Sequence, residues 1–116
     1  MPITWPLTDP EEAHLFRFYV DTVSQWWDLT NSLNLFKEVV PQLALSNSML
    51  MNALLMKTSQ HLENIDSAHP TRAYMYHERL LQKLIPYLAE NGSIKDEATL
   101  VAAMFLRAFE ELHGMC

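Results

Sequence analysis

The stretch FKEVVPQLALSNSMLMNALLMKTSQHL, Phe36 to Leu62, is the most apolar part of this chain and decides how the rest must fold. Between Met49 and Met56 seven of eight residues are apolar (Met49, Leu50, Met51, Ala53, Leu54, Leu55, Met56), so a helix here is apolar on every side and has to be enclosed by others. Ala, Leu and Met are strong helix formers and no Gly or Pro interrupts them. Ser46 or Ser48 is available to cap the first turn. The pattern predicts a central helix from Asn47 to Glu63. From Lys57 to Asn64 the composition turns polar, which predicts Leu62 and Ile65 on the buried side and Gln60, Glu63 and Asn64 in water.

Upstream, Leu33, Leu35, Phe36, Val39 and Val40 predict a short apolar-faced helix that Pro41 ends or bends, set off by a polar break at Thr30-Asn31-Ser32. Before it, Asp9-Pro10-Glu11-Glu12 is a helix start, with an N-cap acid, proline at the first helical position and glutamate three residues after the cap. Phe16, Tyr19, Val20, Val23 and Trp27 then follow a helical period, with Arg17, Asp21, Ser24 and Asp28 opposite, giving an amphipathic helix that ends near Leu29. Residues 1–8, with two prolines and Trp5, read as an extended arm. Residues 9–116 read as one helical domain.

Downstream, Asp66-Ser67-Ala68-His69-Pro70 is turn chemistry, and a fourth helix is predicted from Thr71 to Glu90 with His77, Leu81, Leu84 and Leu88 on one face. Pro86 lacks the N–H that would bond Gln82, which predicts a kink before the Asn91-Gly92 stop. Ser93 or Asp96 can cap a fifth helix with the face Val101, Met104, Phe105, Ala108 and Leu112, an outer Arg107–Glu111 pair and a stop at Gly114. No strand pattern competes, and two glycines are little material for hairpins. The expected fold class is all-α, an antiparallel array of about five helices.

Whole-chain numbers narrow the function. At 116 residues and 49% apolar content the chain suits one domain with an unstapled core. The single cysteine, Cys116, excludes an internal disulfide and fits a reducing compartment, where it would be an exposed thiol. A net charge of −6 with eight scattered basic residues argues against direct nucleic-acid binding by this chain. No run approaches a membrane span, and MPITWPLTDPEE lacks the basic start and apolar middle of a signal peptide, so a soluble intracellular protein without a membrane partner is expected.

Chemistry has little to hold on to. There is no phosphate-cradling glycine loop, no serine in a nucleophile elbow and no framed carboxylate pair, so no catalytic residue is assigned and no enzyme is expected. His14, His61, His69, His77 and His113 show no i, i+4 pair, so no metal or other cofactor is assigned. His77 reads as a core-edge histidine with one ring nitrogen bonded. Trp26 and Trp27, with Tyr19 and Phe16, can be imagined lining a pocket walled by Met49, Met51, Met56, Met75 and Met104. Stripes at helical spacing are also what cores look like, and core packing is the favoured reading.

The succession HLFRFYVDTVSQWWDL (His14 to Leu29), FKEVVPQLALSNSMLMNALLMKTSQHL (Phe36 to Leu62), YHERLLQKLIPYL (Tyr76 to Leu88) and LVAAMFLRAFEEL (Leu100 to Leu112) resembles the fungal-specific regulatory domain that follows the zinc binuclear-cluster DNA-binding domain of fungal transcription factors. The resemblance implies a helical array in a nuclear protein that regulates the factor, often for metabolic or secondary-metabolite genes. Two departures matter. No six-cysteine zinc module precedes the segment, and the family domain continues well beyond the position of Leu112, so the chain is expected to represent the first part of a regulatory domain without its DNA reader.

The leading expectation is therefore a regulatory or interaction module acting by protein contact, and the alternative is a small apolar-ligand binder or minor enzyme. If helices that normally cover this part are missing, apolar surface stays open, and self-association or a protein partner is expected. Phe18, Trp26 and Phe109 are the candidate surface residues beside the main stripes, with Trp27 and Met49 added as interface or pocket residues.

Overall fold

A computed structural model of the chain describes residues 9–28, 35–65 and 70–113, and every regular element among them is helical. The elements are α1 (Pro10–Phe18), a π-helical segment (Tyr19–Val23), α2 (Ser24–Asp28), α3 (Leu35–Glu38), α4 (Val40–Leu45), α5 (Ser48–Ile65), α6 (Pro70–Asn91) and α7 (Glu97–His113). The fold is all-α. The Thr30-Asn31-Ser32 break, the turn at 66–69, the arm at 1–8 and Gly114 lie outside the described residues.

The centre is α5. It packs against α1, the π segment, α4, α6 and α7, which is the enclosure its composition demands. Leu50, Ala53, Leu54 and Met56 are fully buried and Leu55 nearly so, joined by Tyr19 from the π segment, Tyr76 and Leu80 from α6, and Phe105 and Phe109 from α7. Tyr19 and Phe105 meet edge-to-face with ring centroids 6.1 Å apart, and the Phe36 ring lies 6.1 Å from that of Phe105. Each such buried side chain contributes on the order of 1.5–3 kcal/mol relative to exposure.

The polar half of α5 departs from expectation. Gln60, expected in water, is 1% exposed, and Lys57, Thr58 and Ser59 are buried with it. Neighbours enclose α5 beyond its apolar half, so its polar side chains must find partners inside. Thr58 Oγ1 donates to the Leu54 carbonyl at 3.0 Å, and Lys57 Nζ donates to Gln60 Oε1 at 2.6 Å. The side chains of Glu63, Asn64 and Ile65 lie outside the described residues.

The first helix changes phase in its middle. Leu15, Phe16, Tyr19 and Val23 are buried as a regular period requires, but the π segment takes an extra residue in its turn and brings Ser24 to the buried side beside Val23. Ser24, expected on the water side, is therefore fully buried, and its hydroxyl donates to the Val20 carbonyl at 2.9 Å. At the far end Asp28 accepts from the Phe36 and Lys37 amides at 2.9 and 3.0 Å, capping α3, while the Tyr19 hydroxyl donates to the Phe36 carbonyl at 2.7 Å. Burial and the nearby Asp28 charge push that hydroxyl above the ordinary tyrosine range.

Caps and stops follow local chemistry. Asp9 accepts from the Glu11 amide at 2.9 Å with Pro10 in the first turn, as the sequence signature predicts. Pro41 stands in the first turn of α4 and so begins a helix rather than ending one, because its missing N–H is wasted there anyway. The cap of α5 is Asn47, whose Oδ1 accepts from the Leu50 amide at 3.0 Å, in place of Ser46 or Ser48. Asp96 caps α7, accepting from the Thr99 amide at 3.0 Å and the Thr99 hydroxyl at 2.8 Å. Tyr87 adds a 2.7 Å bond to the same carboxylate and accepts from the Lys95 amide at 3.0 Å. Those donors, Tyr87 first, hold Asp96 below the ordinary carboxylate range. Gly92, at φ 76, occupies the left-handed position that stops α6.

The helix α6 stays helical through Pro86, which lies exposed beside exposed Gln82, so water can take the Gln82 carbonyl that proline leaves unbonded. Its core face is Ala73, Tyr76, Leu80 and Leu84 rather than the expected His77–Leu81–Leu88 line, and Leu88 is 38% exposed. In α7 the buried face is Ala98, Ala102, Phe105 and Phe109, one residue round from the expected stripe, and Met104 is exposed. The small Ala98 and Ala102 are buried with the two phenylalanines, and the bulkier Leu100 and Met104 stay outside. Arg107 and Glu111 pair at 3.1 Å as expected.

Leu54→Ala should cost about 2–5 kcal/mol, the range for a buried Leu truncated in a close-packed core. Leu54→Asp should abolish the cooperative melt and the helical circular dichroism altogether. An unchanged melt in either variant would contradict the enclosure of α5.

Candidate functional site

Of the five residues singled out from sequence, Phe18, Met49 and Phe109 have described side chains, and Phe18 lies far from Met49 along the length of α5. Phe18 is half-buried, with its ring 5.9 Å from His61, whereas Met49 is buried twelve residues earlier on α5, roughly 18 Å away along the helix axis. Phe109, expected beside the stripe and open, is 1% exposed, stacked on His77 at 4.9 Å and met edge-on by Tyr74 at 5.7 Å. It belongs to the core because the buried face of α7 is rotated. The side chains of Trp26 and Trp27 lie outside the described residues. His77 sits at the core edge, as expected, with Nε2 3.3 Å from Glu110 Oε2.

Sequence reasoning missed a polar seam between α1 and α6. The first turn of α1 supplies Asp9, Glu11 and Glu12, and α6 supplies Arg72, Tyr76 and Arg79. Arg72 bridges Asp9 and Glu11, at 3.4 and 2.5 Å. Glu12 Oε2 accepts from the Tyr76 hydroxyl at 2.8 Å and lies 3.6 Å from Arg79. Both guanidiniums also lie within 6 Å of the Tyr76 ring, at 5.6 and 5.8 Å. Burial first, and then the bond to Glu12, raise the Tyr76 hydroxyl above its ordinary range. The acids are visible in the sequence as a helix-start signature and the arginines as a helix face. Only the packing of both elements on α5 brings them together.

A cleft of about 420 Å³ opens at this seam, lined by Glu12 of α1, Ala44 and Leu45 of α4, the Ser46-Asn47-Ser48 turn, Met51, Asn52 and Leu55 of α5, and Arg79 of α6. A second, more open hollow of about 410 Å³ shares the same turn and adds Met49, Gln82, Lys83 and Pro86.

At the other end of α5, Lys57, Gln60 and His61 form a second polar group. Gln60 Nε2 reaches the Phe109 carbonyl at 3.4 Å and so links Lys57 to α7. Burial lowers the Lys57 ammonium below the usual lysine range, and burial together with the Lys57 charge lowers His61.

On the outside, several large apolar side chains remain in water. Leu100 (50% exposed) and Met104 (39%) stand one turn apart on α7, Leu35 and Val39 stand one turn apart across α3 and the start of α4, and Tyr74, Ile85 and Leu88 line the outer side of α6. A signal for the α7 pair is present in the sequence: ten of the twelve residues from Ala98 to Phe109 are apolar, more than a helix on the edge of an array can bury. Among the described residues, no three His, Cys, Asp or Glu side chains gather in a metal-holding group, and no helix is long and apolar enough to cross a membrane.

The described residues form an all-α array with a buried central helix and a polar seam between α1 and α6. The chain matches the fungal specific transcription factor domain over residues 14–115 and belongs to that family, as its succession of segments suggests. The family is one of transcription-factor domains rather than enzymes, which ties the chain to transcription regulation. No curated protein and no solved structure matches it.

Because the folded state holds Lys57 and His61 below their unfolded values, it disfavours their protonated forms, and stability should be lost as pH is lowered below each group's ordinary value, 10.5 for the lysine and 6.5 for the histidine. Lys57→Met should flatten the part of this dependence that lies below the ordinary lysine value of 10.5, where Tyr19 and Tyr76, raised by burial, do not yet act in the opposite sense. It should also let the His61 titration, followed by NMR, recover only in part, since burial remains. No change in either profile would contradict a buried Lys57.

Proposed function

We propose that the chain regulates transcription in the nucleus by protein contact, without reading DNA itself, and that its contact surface is the outer side of α7, centred on Leu100 and Met104. The observation that carries this reading is the exposure of two large apolar side chains in successive turns of a helix whose opposite face is fully committed to the core. Exposed apolar residues clustered on one element are the usual material of an interface. The simplest partner is a second copy placed isologously, so that each α7 covers the other.

The charge distribution favours contact over DNA reading. Of the eight basic residues, Lys57 is buried, and Arg72, Arg79 and Arg107 face carboxylates. Arg17, Lys37, Lys83 and Lys95 are distributed over α1, α3, α6 and the loop before α7, which is not the continuous stripe that phosphate neutralisation uses. Neither of the two described hollows is lined by Phe18 or Phe109.

Sedimentation of the purified chain should show association in the tens of micromolar range, a typical weak-interface strength. The double variant Leu100→Asp, Met104→Asp should be monomeric with unchanged helical circular dichroism, because both side chains stand at the surface and neither belongs to the core. A wild-type chain that stays monomeric, or a double variant that still associates, would remove α7 as a self-contact surface. The wild-type chain should give no salt-sensitive, sequence-specific mobility shift with DNA.

A further inference from the structure

We propose that the cleft between α1, α6 and the α4–α5 turn is a binding site for a small zwitterion carrying an apolar side chain, of which an apolar α-amino acid is the simplest member. The proposal is independent of the α7 contact surface. Its basis is the charge arrangement of the cleft. Glu12 and Arg79 both line it, yet they stand 3.6 Å apart, too far for a direct hydrogen bond. The Arg79 side chain is half exposed and makes no hydrogen bond among the described residues, so its forked donors face the cleft or water. Glu12 spends Oε2 on the Tyr76 hydroxyl and keeps Oε1 free of any hydrogen bond among the described residues.

A loosely closed ion pair of this spacing is matched by a molecule with its own carboxylate and ammonium a similar distance apart, laid antiparallel. Its carboxylate would take the Arg79 fork and its ammonium would reach Glu12, each as a charge-assisted bond. A simple anion would leave Glu12 facing like charge, and a simple cation would do the same to Arg79. The zwitterion adds no net charge to the site.

The remaining lining fixes the rest of the ligand. Asn52 donates one N–H to the Ser48 carbonyl at 2.8 Å and retains a second N–H and its carboxamide oxygen. The half-buried Leu45 gives the cleft its apolar side, and the core residues Ala44, Met51 and Leu55 reach its floor with a small exposed edge, where the flexible Met51 side chain can adapt to an aliphatic group. At about 420 Å³ the space lies within the ordinary size of small-ligand sites.

The test is an NMR titration of the full chain carrying ¹³C-methyl methionine, with L-leucine as the probe and N-acetyl-L-leucine and L-leucinamide as analogues that each lack one charge. The Met51 methyl, assigned with Met51→Leu, should shift saturably with L-leucine, and each analogue should bind at least about tenfold more weakly, because one charged partner is left unmatched. Arg79→Gln should lose the saturable shift while keeping the wild-type melt. Glu12→Gln, which keeps an acceptor for Tyr76, should lose it as well. No saturable shift at Met51 overturns the proposal, as does a response confined to other methionines. Equal binding of either analogue, or undiminished binding by a folded Arg79→Gln chain, also overturns it.

Discussion

Enclosing a helix on every side is the demand that shapes this domain. The first half of α5 has no polar face to give to water, so α1, α4, α6 and α7 are all recruited to it, and the aromatic contacts among Tyr19, Phe36 and Phe105 fill the gaps that this gathering leaves. The same enclosure runs past the apolar half and buries Lys57, Thr58, Ser59 and Gln60. Buried polar groups are tolerable when bonded, and most here are. The Ser59 hydroxyl, without a hydrogen-bond partner among the described residues, is an exception that locally weakens the core.

What the sequence made legible was whatever depends on local chemistry. The Asp9-Pro10 start, the Asp96 cap, the Gly92 stop and the Arg107–Glu111 pair each follow from residues within a turn of one another, and the central helix follows from composition alone. Less visible was anything set by a neighbour. Ser24 is inside because the π segment shifts the period, Gln60 because α7 passes close enough for the Gln60 amide to reach the Phe109 carbonyl, and Phe109 itself because the buried face of α7 runs through Ala98, Ala102 and Phe105. Pro41 was ambiguous in principle, since proline breaks a helix in its interior and starts one at its first turn.

The candidate sites divide in the same way. Family membership was readable from the order of the segments, but the cleft was not, because Glu12, Asn52 and Arg79 are far apart in the chain and meet only across the central helix. Aromatic and methionine stripes drew attention to side chains that are mostly core. The exposed pair on α7 was hidden by an excess of apolar residues, where sequence shows that some must face outward without showing which.

The π segment at Tyr19–Val23 makes the first helix two differently aimed tools on one shaft. The turns before it aim Glu12 at α6, and the turns after it aim Asp28 at the amides of α3. One surplus residue sets the angle between these two tasks, so the spacing between Glu12 and Asp28 is a counted quantity. Loss of a single residue there would restore an even helix of ordinary composition and turn one set of contacts by about 100° relative to the other. Length, more than residue type, is the heritable property this part of the chain has to keep.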